Sequence, residues 1–439
     1  MGKANGSRFV VEFPLKTEIY QQHILEKRFE IGRHIYNSLL NVTRKRYKEM
    51  IKTKKYRNLI ASLHDANEDV RKAIYKQLQD MRREYRISKY DFFYDVKSMQ
   101  HHFSENIDAN TARSIASNLW KAYEKNIFAN GEQIHFKKKG NFSSLAGRDN
   151  KAGIRFNYDK KLVTWNGLKI PVIINENDTF KMDALKCDIA FCRIVRKEIK
   201  GKIRYCLQLT LKGVPPVKYN KKTGEVKHPL GKGKVGLHIG LTNIAVVNCD
   251  SAELMELANN SKEIDKKIKI NQRKMERSRR NCNPDNYNED GTIKKEEGVQ
   301  MIWKKSNHYK HLQQQQKELF RKEKVLRKYR YECLSNEIIC KGDTFYINKL
   351  NASRIQQKGY GKTIRNRAPA LLVSIIERKL GYYNIGMVKL NAFELSKQVE
   401  ENKEITSDLY KAYINYHVND DYVTVNAKSF SCDIARLQN

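Results

Sequence analysis

One short segment limits the possible folds of this 439-residue chain more than any other. Apolar residues begin at Val235, are interrupted by Gly240, and resume through Val247. This pattern predicts a buried β-strand, a glycine break and a second strand. Within the first strand stands His238, a polar residue among apolar neighbours. A lone histidine on a strand is more often a packed core residue than a ligand, so other segments must show whether this one belongs to a site.

Two later segments resemble the remaining parts of such a site. Residues 344–351 predict a strand with Asn348 near its end, and residues 407–415 predict a helix with Asp408 near its start. Together with 235–247 they resemble the RuvC domain of TnpB, the transposon-encoded RNA-guided nuclease family ancestral to the type V CRISPR effectors. The resemblance extends from the first predicted strand to about Tyr413. It implies a ribonuclease H-like fold whose three carboxylates hold magnesium.

This chain departs from the family at those carboxylate positions. His238 stands where the first aspartate is expected and Asn348 where the glutamate is expected. Asp408 is the carboxylate nearest to the third position, although matching the segment to the family without a gap places Leu409 there. The chain therefore resembles the nuclease-dead repressor derivatives of the family, with at most one of three ligands retained.

The substitutions change the charge that a metal would meet. Two magnesium ions roughly 4 Å apart need hard oxygen ligands and negative charge. The number of formal negative charges at the three positions decreases from three to one at most. Imidazole also prefers zinc, copper or iron. We therefore expect no catalytic residues, no bound magnesium and no other cofactor. Other carboxylates lie near the three segments, at Asp250, Asp343, Asp420 and Asp421. Asp343 is five residues before Asn348 and so faces the opposite side of that strand.

The charge of the chain predicts a nucleic-acid partner. There are 85 Lys and Arg against 49 Asp and Glu, which gives a formal net charge of +36. The basic residues are interleaved with 24 Tyr, 16 Phe and 3 Trp, and such mixtures neutralise phosphates and stack on bases. The TnpB resemblance makes the expected partners a guide RNA and complementary double-stranded DNA.

Cysteine spacing and hydropathy argue against a zinc-binding domain and against a membrane or secreted protein. The eight cysteines form no Cys-x-x-Cys pair, and none lies between Asn348 and Asp408, so the zinc ribbon of many TnpB proteins is not expected. No apolar run approaches the roughly 18 residues of a spanning helix, and residues 1–6 lack an apolar signal core. We expect no membrane association and a cytoplasmic, nucleoid-associated location.

The chain is expected to be an α+β multidomain protein. Strand-like alternation predicts a β-barrel wedge domain from residues 1–15 and 131–230, with an inserted helical recognition domain at 16–130. A RuvC-like α/β domain follows at 231–413, with a helical insertion at 262–334 and a tail at 414–439.

Several local signals support these elements. Turns are predicted at Asn166-Gly167 and Lys200-Gly201, and Asp108 or Asn110 is expected to cap a helix. One apolar helical stripe comprises Leu25, Phe29, Gly32, Tyr36, Leu39 and Val42.

Basic clusters mark the expected nucleic-acid contacts. The charged stretch 44–101 is consistent with a surface that lines a guide–target duplex or with a solvated helical hairpin. The loop 135–140 is consistent with a phosphate-binding track or with a solubilising loop. The insertion suits a lid over nucleic acid or a dimer contact, with a solvated hairpin as the alternative; its second arm is expected to begin at Trp303. The predicted contacts are Lys137, Lys138, Lys139, Arg273, Arg277, Arg279, Arg280, Arg354, Arg365 and Arg367.

These features favour one function over three others. The favoured one is a catalytically inactive TnpB-like protein that binds guide RNA, targets complementary DNA without cleavage and represses transcription. The alternatives are a transposon-associated RNA-guided endonuclease with displaced catalytic residues, a non-guided RNA-binding protein, and a decaying pseudogene product. The intact periodicity of the strands and helices disfavours the last.

Overall fold

The computed structural model describes residues 6–63, 66–128, 133–257, 262–294, 301–348, 359–390, 408–417 and 433. The chain divides into two units, Met1–Pro216 and Val217–Asn439. Both units combine helices and strands, so the expected mixed α and β multidomain class is confirmed. In the described part of the chain, no helix has the length and apolar character that a bilayer crossing demands.

The strands of the first unit form two antiparallel sheets. One sheet has the order β1-β7-β6-β2, and the other is β3-β4-β5. The strands are β1 (Arg8–Pro14), β2 (Ser144–Ala146), β3 (Arg155–Asn157), β4 (Leu162–Trp165), β5 (Leu168–Pro171), β6 (Ile189–Ile199) and β7 (Lys202–Lys212). Val11 pairs with Leu209, and a bridge between Leu15 and Val172 links the ends of the two sheets. The N-terminal strand thus pairs with a strand about two hundred residues later.

Both predicted turns are present. Lys200 and Gly201 have φ values of 50° and 76°, and Asn166 and Gly167 have 40° and 76°. Two consecutive positive φ values in a two-residue loop are typical of a type I′ turn, which matches the twist of the flanking strands.

The helices of the first unit lie mainly between β1 and β2 in the chain. They are α1 (Ile19–Lys52), α2 (Lys54–Ser62), α3 (Glu68–Glu84), α4 (Lys89–His102) and α5 (Ala109–Phe128), with the short α6 (Thr179–Ala184) after β5. The predicted apolar stripe of α1 is buried except at Val42, which is half-buried. Asp108 caps α5, because its Oδ1 accepts a hydrogen bond from the Thr111 amide at 2.9 Å.

The second unit is built on one mixed sheet. Its strands are β8 (Lys234–Ile239), β9 (Asn243–Val247), β10 (Ala252–Glu256), β11 (Thr344–Asn348) and β12 (Val388–Leu390), in the order β10-β9-β8-β11-β12. The first three are antiparallel, while β11 runs parallel to both β8 and β12.

The helices described in the second unit are α7 (Lys262–Cys282), α8 (Asn307–Ile339), α9 (Gly361–Arg367), α10 (Pro369–Gly381) and α11 (Asp408–Tyr416). The last turns of α8 and the helix α10 pack on one face of the sheet, and α11 packs on the other. Val235, Leu237 and Ile239 share a core with α8 and α10. Since strand residues alternate between faces, Gly236 and His238 point to the other side, where α11 packs.

The insertion is a helical hairpin made of α7 and the first part of α8. Asn271 is buried between the helices and donates to the Leu312 carbonyl at 3.0 Å and to Gln316 Oε1 at 2.7 Å. The expected start of the second arm at Trp303 is wrong, because Ser306 caps α8 by accepting from the Tyr309 amide at 3.0 Å. The helix continues to Ile339 since its last turns join the sheet core.

Gly236 should be essential for the stability of the second unit. A Cβ at this position would lie 2.1 Å from the Ala412 carbonyl oxygen and 2.4 Å from the Tyr416 nitrogen, both of which are backbone atoms of α11. Gly236→Ala should therefore lower the free energy of unfolding by about 1–3 kcal/mol, the usual range for overpacking. Urea denaturation of the full chain measures this. Gly386→Ala is the matched control, since nothing lies within 4 Å of its Cβ, and an equal effect of both changes would contradict the packing argument.

Candidate functional site

The structure brings His238, Asn348 and Asp408 together. His238 lies near the end of β8, Asn348 is the last residue of the neighbouring β11, and Asp408 is the first residue of α11. The Nδ1 atom of His238 is 3.2 Å from Asn348 Oδ1, and its Nε2 atom is 3.4 Å from Asp408 Oδ1. The imidazole thus joins two side chains that come from distant parts of the sequence.

Asp408, not Leu409, is the residue that reaches this cluster. Leu409 instead packs against the apolar residues under α11. A Cβ on Gly240 would lie 2.5 Å from Asp408 Oδ2, so the glycine after β8 leaves the space that the carboxylate occupies. Of the two residues considered for the third position, Asp408 is therefore the one that lies beside His238.

A fourth residue, Asn415, fixes the orientation of the cluster. It is fully buried on α11, and its Nδ2 donates to the Leu237 carbonyl at 2.6 Å and also to Asn348 Oδ1. Asn415 is not among the site residues predicted from the sequence. The signal was its position, seven residues after Asp408 and therefore on the same face of the helix.

This network determines how the two asparagine amides are oriented. The Leu237 carbonyl accepts only, so Asn415 must present its NH₂ group, and Asn348 must then present its oxygen. That oxygen faces His238 Nδ1, while the carboxylate of Asp408 faces Nε2.

The electrostatics of Asp408 agree with this arrangement. The hydrogen bond from His238 is the largest influence and holds the pKa of Asp408 below its ordinary value of 3.8; burial opposes it, and the charges of His238 and Lys411 act in the same direction as the hydrogen bond. Lys411 Nζ lies 3.9 Å from Asp408 Oδ1. The single carboxylate of the cluster is thus balanced by cationic side chains of the protein itself.

The donor set does not fit a two-magnesium centre. One carboxylate, one amide oxygen and one imidazole provide neither the hard oxygen ligands nor the negative charge that such a centre requires. Within the described ranges, no group of three or more His, Cys, Asp or Glu side chains is arranged to hold a metal ion.

The other carboxylates considered as replacements lie elsewhere or cannot be placed. Asp343 precedes β11, roughly 16 Å along the strand from Asn348. Asp250 follows β9, whose Val247 pairs with Gly236 near the start of β8, so it also lies at the end of the sheet away from His238. Asp420 and Asp421 fall outside the described residues.

The lysines at 137–139 are exposed on a loop whose backbone is fixed to α1. Asn37 donates to the Lys137 carbonyl at 3.0 Å and accepts from the Lys137 amide at 2.8 Å, and the Gly140 amide donates to Glu30 at 3.1 Å. The Lys137 ammonium lies 5.6 Å from the centre of the Tyr36 ring. The loop therefore presents ammonium groups from a fixed backbone, as a phosphate contact requires.

Of the four arginines of α7 predicted as contacts, three are exposed and one is half-buried. Arg273 and Arg277 are exposed and one helical turn apart. Arg279 is half-buried at the tip, where it donates to the Tyr287 hydroxyl at 2.8 Å and lies 4.8 Å from the Trp303 ring centre. Arg280 is exposed, lies 5.3 Å from the Tyr287 ring centre, and forms a 3.4 Å ion pair with Glu276. Arg279 thus holds the tip of the hairpin together, whereas Arg273 and Arg277 remain open to solvent.

The predicted contacts that follow β11 in the sequence also include one exposed arginine and one that is bonded to the rest of the protein. Arg365 is exposed at the end of α9. Arg367 donates to the Thr242 carbonyl at 3.3 Å and also to the Leu257 carbonyl, and lies 3.6 Å from Glu256. It therefore fastens the segment before α10 to the sheet. Arg354 lies outside the described residues.

No family model and no curated protein matches the sequence. Among solved structures, the chain is similar to a Cas12f1–sgRNA–target DNA complex at a TM-score of 0.42 and 12% identity, over 99% of this chain and 98% of that one. It is also similar to a CRISPR-Cas12f ternary complex at a TM-score of 0.29 and 14% identity, over 92% and 75% of the two chains.

The His238–Asp408 pair should contribute stability that depends on pH. Because the folded-state pKa of Asp408 is lowered, the contribution is present above its unfolded value and is lost as the pH falls through the folded value. Asp408→Asn should lower the free energy of unfolding by about 1–2 kcal/mol at pH 7, and the difference should shrink below pH 3.8.

Urea denaturation at pH 7, at a mildly acidic pH and below the ordinary value for aspartate measures this trend. Glu225→Gln, at an exposed position of the same unit, is the control and should have almost no effect. A destabilisation by Asp408→Asn that stayed constant over the whole pH range would contradict the ion-pair interpretation.

Proposed function

We propose that this chain is a nuclease-dead TnpB-like protein that binds a guide RNA and complementary double-stranded DNA without cutting it. The observation that carries the proposal is the closed cluster of His238, Asn348 and Asp408. The His238 ring there contacts the carboxylate that a metal ion would otherwise need. With its one carboxylate already held by His238 and Lys411, the cluster offers a magnesium ion few of the hard oxygen ligands that it requires.

The position of the cluster in the sheet supports a RuvC-like origin. His238 and Asn348 lie at the carboxyl ends of two adjacent parallel strands, β8 and β11. Open α/β sheets usually place their functional sites at these ends. The cluster thus lies where a nuclease of this fold would have its catalytic side chains, with the chemistry of those side chains replaced.

Charge and exposure support binding to nucleic acid. The net charge of +36 favours association with a polyanion, since self-repulsion in so cationic a chain is relieved by phosphate. The exposed predicted contacts are Lys137, Lys138, Lys139, Arg273, Arg277, Arg280 and Arg365. Such groups bind phosphates without reading sequence, so base pairing by a guide would supply the specificity.

Repression follows from binding without cleavage. A protein held on an opened promoter by a guide–target duplex obstructs RNA polymerase and leaves the DNA intact. The rival function, an endonuclease with displaced catalytic residues, is disfavoured because Asp250 and Asp343 lie at the opposite end of the sheet. The non-guided RNA-binding rival predicts binding to RNA but not to complementary DNA.

The two classes of arginine on α7 should behave differently on substitution. Arg273→Ala and Arg277→Ala should each weaken RNA binding and reduce the slope of log affinity against log salt by about one unit, with unchanged stability. Arg279→Ala, in the same helix, should instead lower the free energy of unfolding by about 1–2 kcal/mol because it removes contacts to Tyr287, Glu276 and Trp303. Filter binding across a salt series and urea denaturation separate these effects. Salt slopes unchanged by either exposed substitution would exclude this helix from the phosphate contacts.

The guided function is tested by identifying the bound RNA and using it. RNA that remains bound after purification in high salt is sequenced, and a promoter reporter is built to match its guide. Expression of the protein with this RNA should lower transcription, and a scrambled guide should not. Supercoiled plasmid carrying the target should stay uncut in magnesium.

Substitutions at the cluster provide the matched variants. Asp408→Asn should retain repression wherever the protein stays folded, since no metal is needed. His238→Asp combined with Asn348→Glu should give weak or no cleavage, because the hairpin and the surroundings of the third position have also diverged. Guide-dependent cutting by the unaltered chain, or equal repression by a scrambled guide, would overturn the proposal.

A further inference from the structure

An aromatic and basic stripe runs along one face of α4, within the charged stretch 44–101 but apart from the ten individual residues predicted above as nucleic-acid contacts. Tyr90, Tyr94, Lys97 and His101 follow one another at intervals of four, three and four residues, so they lie on one side of the helix. All four are exposed. The opposite side carries Phe92 and Val96, which are buried.

The two tyrosines are more exposed than packing alone would explain. Tyr90 is 82% exposed and Tyr94 is 69% exposed, although the same helix buries other apolar side chains completely. The Arg86 guanidinium lies 5.0 Å from the centre of the Tyr94 ring. In the described part of the chain, the Tyr90 ring has no aromatic or cation–π partner. The stripe thus presents an open ring beside a second ring that already carries a cation.

A cavity of about 640 Å³ adjoins the stripe. Its walls come from α1 and α4 and include Val42, Arg46, Tyr94, Lys97, Met99 and His101. The volume lies within the usual ~300–1,000 Å³ of small-molecule sites. The cavity therefore has room for a planar base next to the Tyr94 ring, with cationic groups at its edge.

The charges around the cavity favour an anionic occupant. Asp95 accepts from both Arg46 and Arg86, with a distance of 3.1 Å to Arg46 Nη2 and 3.4 Å to Arg86 Nη2, and Asp91 lies 3.9 Å from Arg86. These two carboxylates balance the two arginines. Within the described ranges, no carboxylate lies at ion-pair distance from Lys97, so its charge is available to a phosphate.

From this geometry we infer that Tyr90 and Tyr94 form a stacking site for unpaired nucleobases, with Lys97 contacting the adjoining phosphate. Aromatic rings stack on the faces of single-stranded bases, whereas the bases of a duplex already stack on one another. The occupant is therefore an unpaired stretch of RNA or of opened DNA. The inference rests on the proposed nucleic-acid-binding function and identifies the strand type that this surface would hold.

The experiment uses the full chain freed of bound nucleic acid, with short single-stranded RNA and DNA of the same sequence and the corresponding DNA duplex as probes. Tyr90→Ala combined with Tyr94→Ala should weaken binding to a single strand about tenfold or more, with little change for the duplex. Tyr90→Phe combined with Tyr94→Phe should retain binding, because the rings are kept. Tyr75→Ala is the matched control, since Tyr75 is also an exposed tyrosine of the first unit, on α3.

Each outcome has a defined meaning. If the alanine pair weakens binding to RNA alone, to DNA alone or to both, the stacking site is supported and the type of strand that it binds is identified. Unchanged single-strand binding, equal loss for the duplex, or equal loss with the phenylalanine pair overturns it. Quenching of 2-aminopurine fluorescence in the probe by the unaltered chain, absent in the alanine pair, reports stacking directly. Guided binding to complementary DNA is measured in parallel. If guided DNA binding fails while the alanine pair still weakens single-strand binding, only the proposed function is refuted. If guided DNA binding succeeds while the alanine pair has no effect on single-strand binding, only this inference is refuted.

Discussion

The close approach of α11 to β8 is the constraint on which the second unit depends. At Gly236 the helix backbone lies where any larger residue would place its side chain, so the sheet and the helix are in direct contact. This contact sets how far the start of α11 can lie from the end of β8. It therefore positions Asp408 beside His238 and buries Asn415 against the Leu237 carbonyl. The cluster and the packing of the helix are one structural arrangement.

Under the proposed function, this arrangement would keep a RuvC-like fold without a bound metal ion. Three carboxylates at one sheet edge repel each other unless a cation separates them. With a histidine and an amide at two of the three positions, that repulsion is absent within the protein itself. His238 and Asn348 are thus compatible with each other, because the same oxygen of Asn348 faces both the His238 ring and the Asn415 amide. A change at only one of the two positions would leave a donor or an acceptor unsatisfied.

The sequence was sufficient to predict local strands and turns and to indicate the residues of the His238–Asn348–Asp408 cluster. It was less informative about the roles of individual basic side chains. Alternation and paired turn residues predicted the strands around Lys200-Gly201, because both signals are local. Strand periodicity and the family motif were enough to indicate His238, Asn348 and Asp408. The difference between Arg277 and Arg279 was not accessible, since it depends on Tyr287 and Trp303 folding back on the helix. The stripe at Tyr90 and Tyr94 was overlooked because exposure, not residue type, distinguishes it from a buried aromatic face.

The continuity of α8 has a mechanical consequence. Its 33 residues span roughly 50 Å, and one uninterrupted helix forms both an arm of the hairpin and part of the sheet core. Tyr331, Leu334 and Ile338 anchor the final turns, and the Tyr331 hydroxyl also donates to the Arg367 carbonyl. A force applied near Ser306 would therefore act on these anchors through a long, stiff moment arm. Bending the hairpin away from the sheet would require breaking a helix that has no internal glycine or proline.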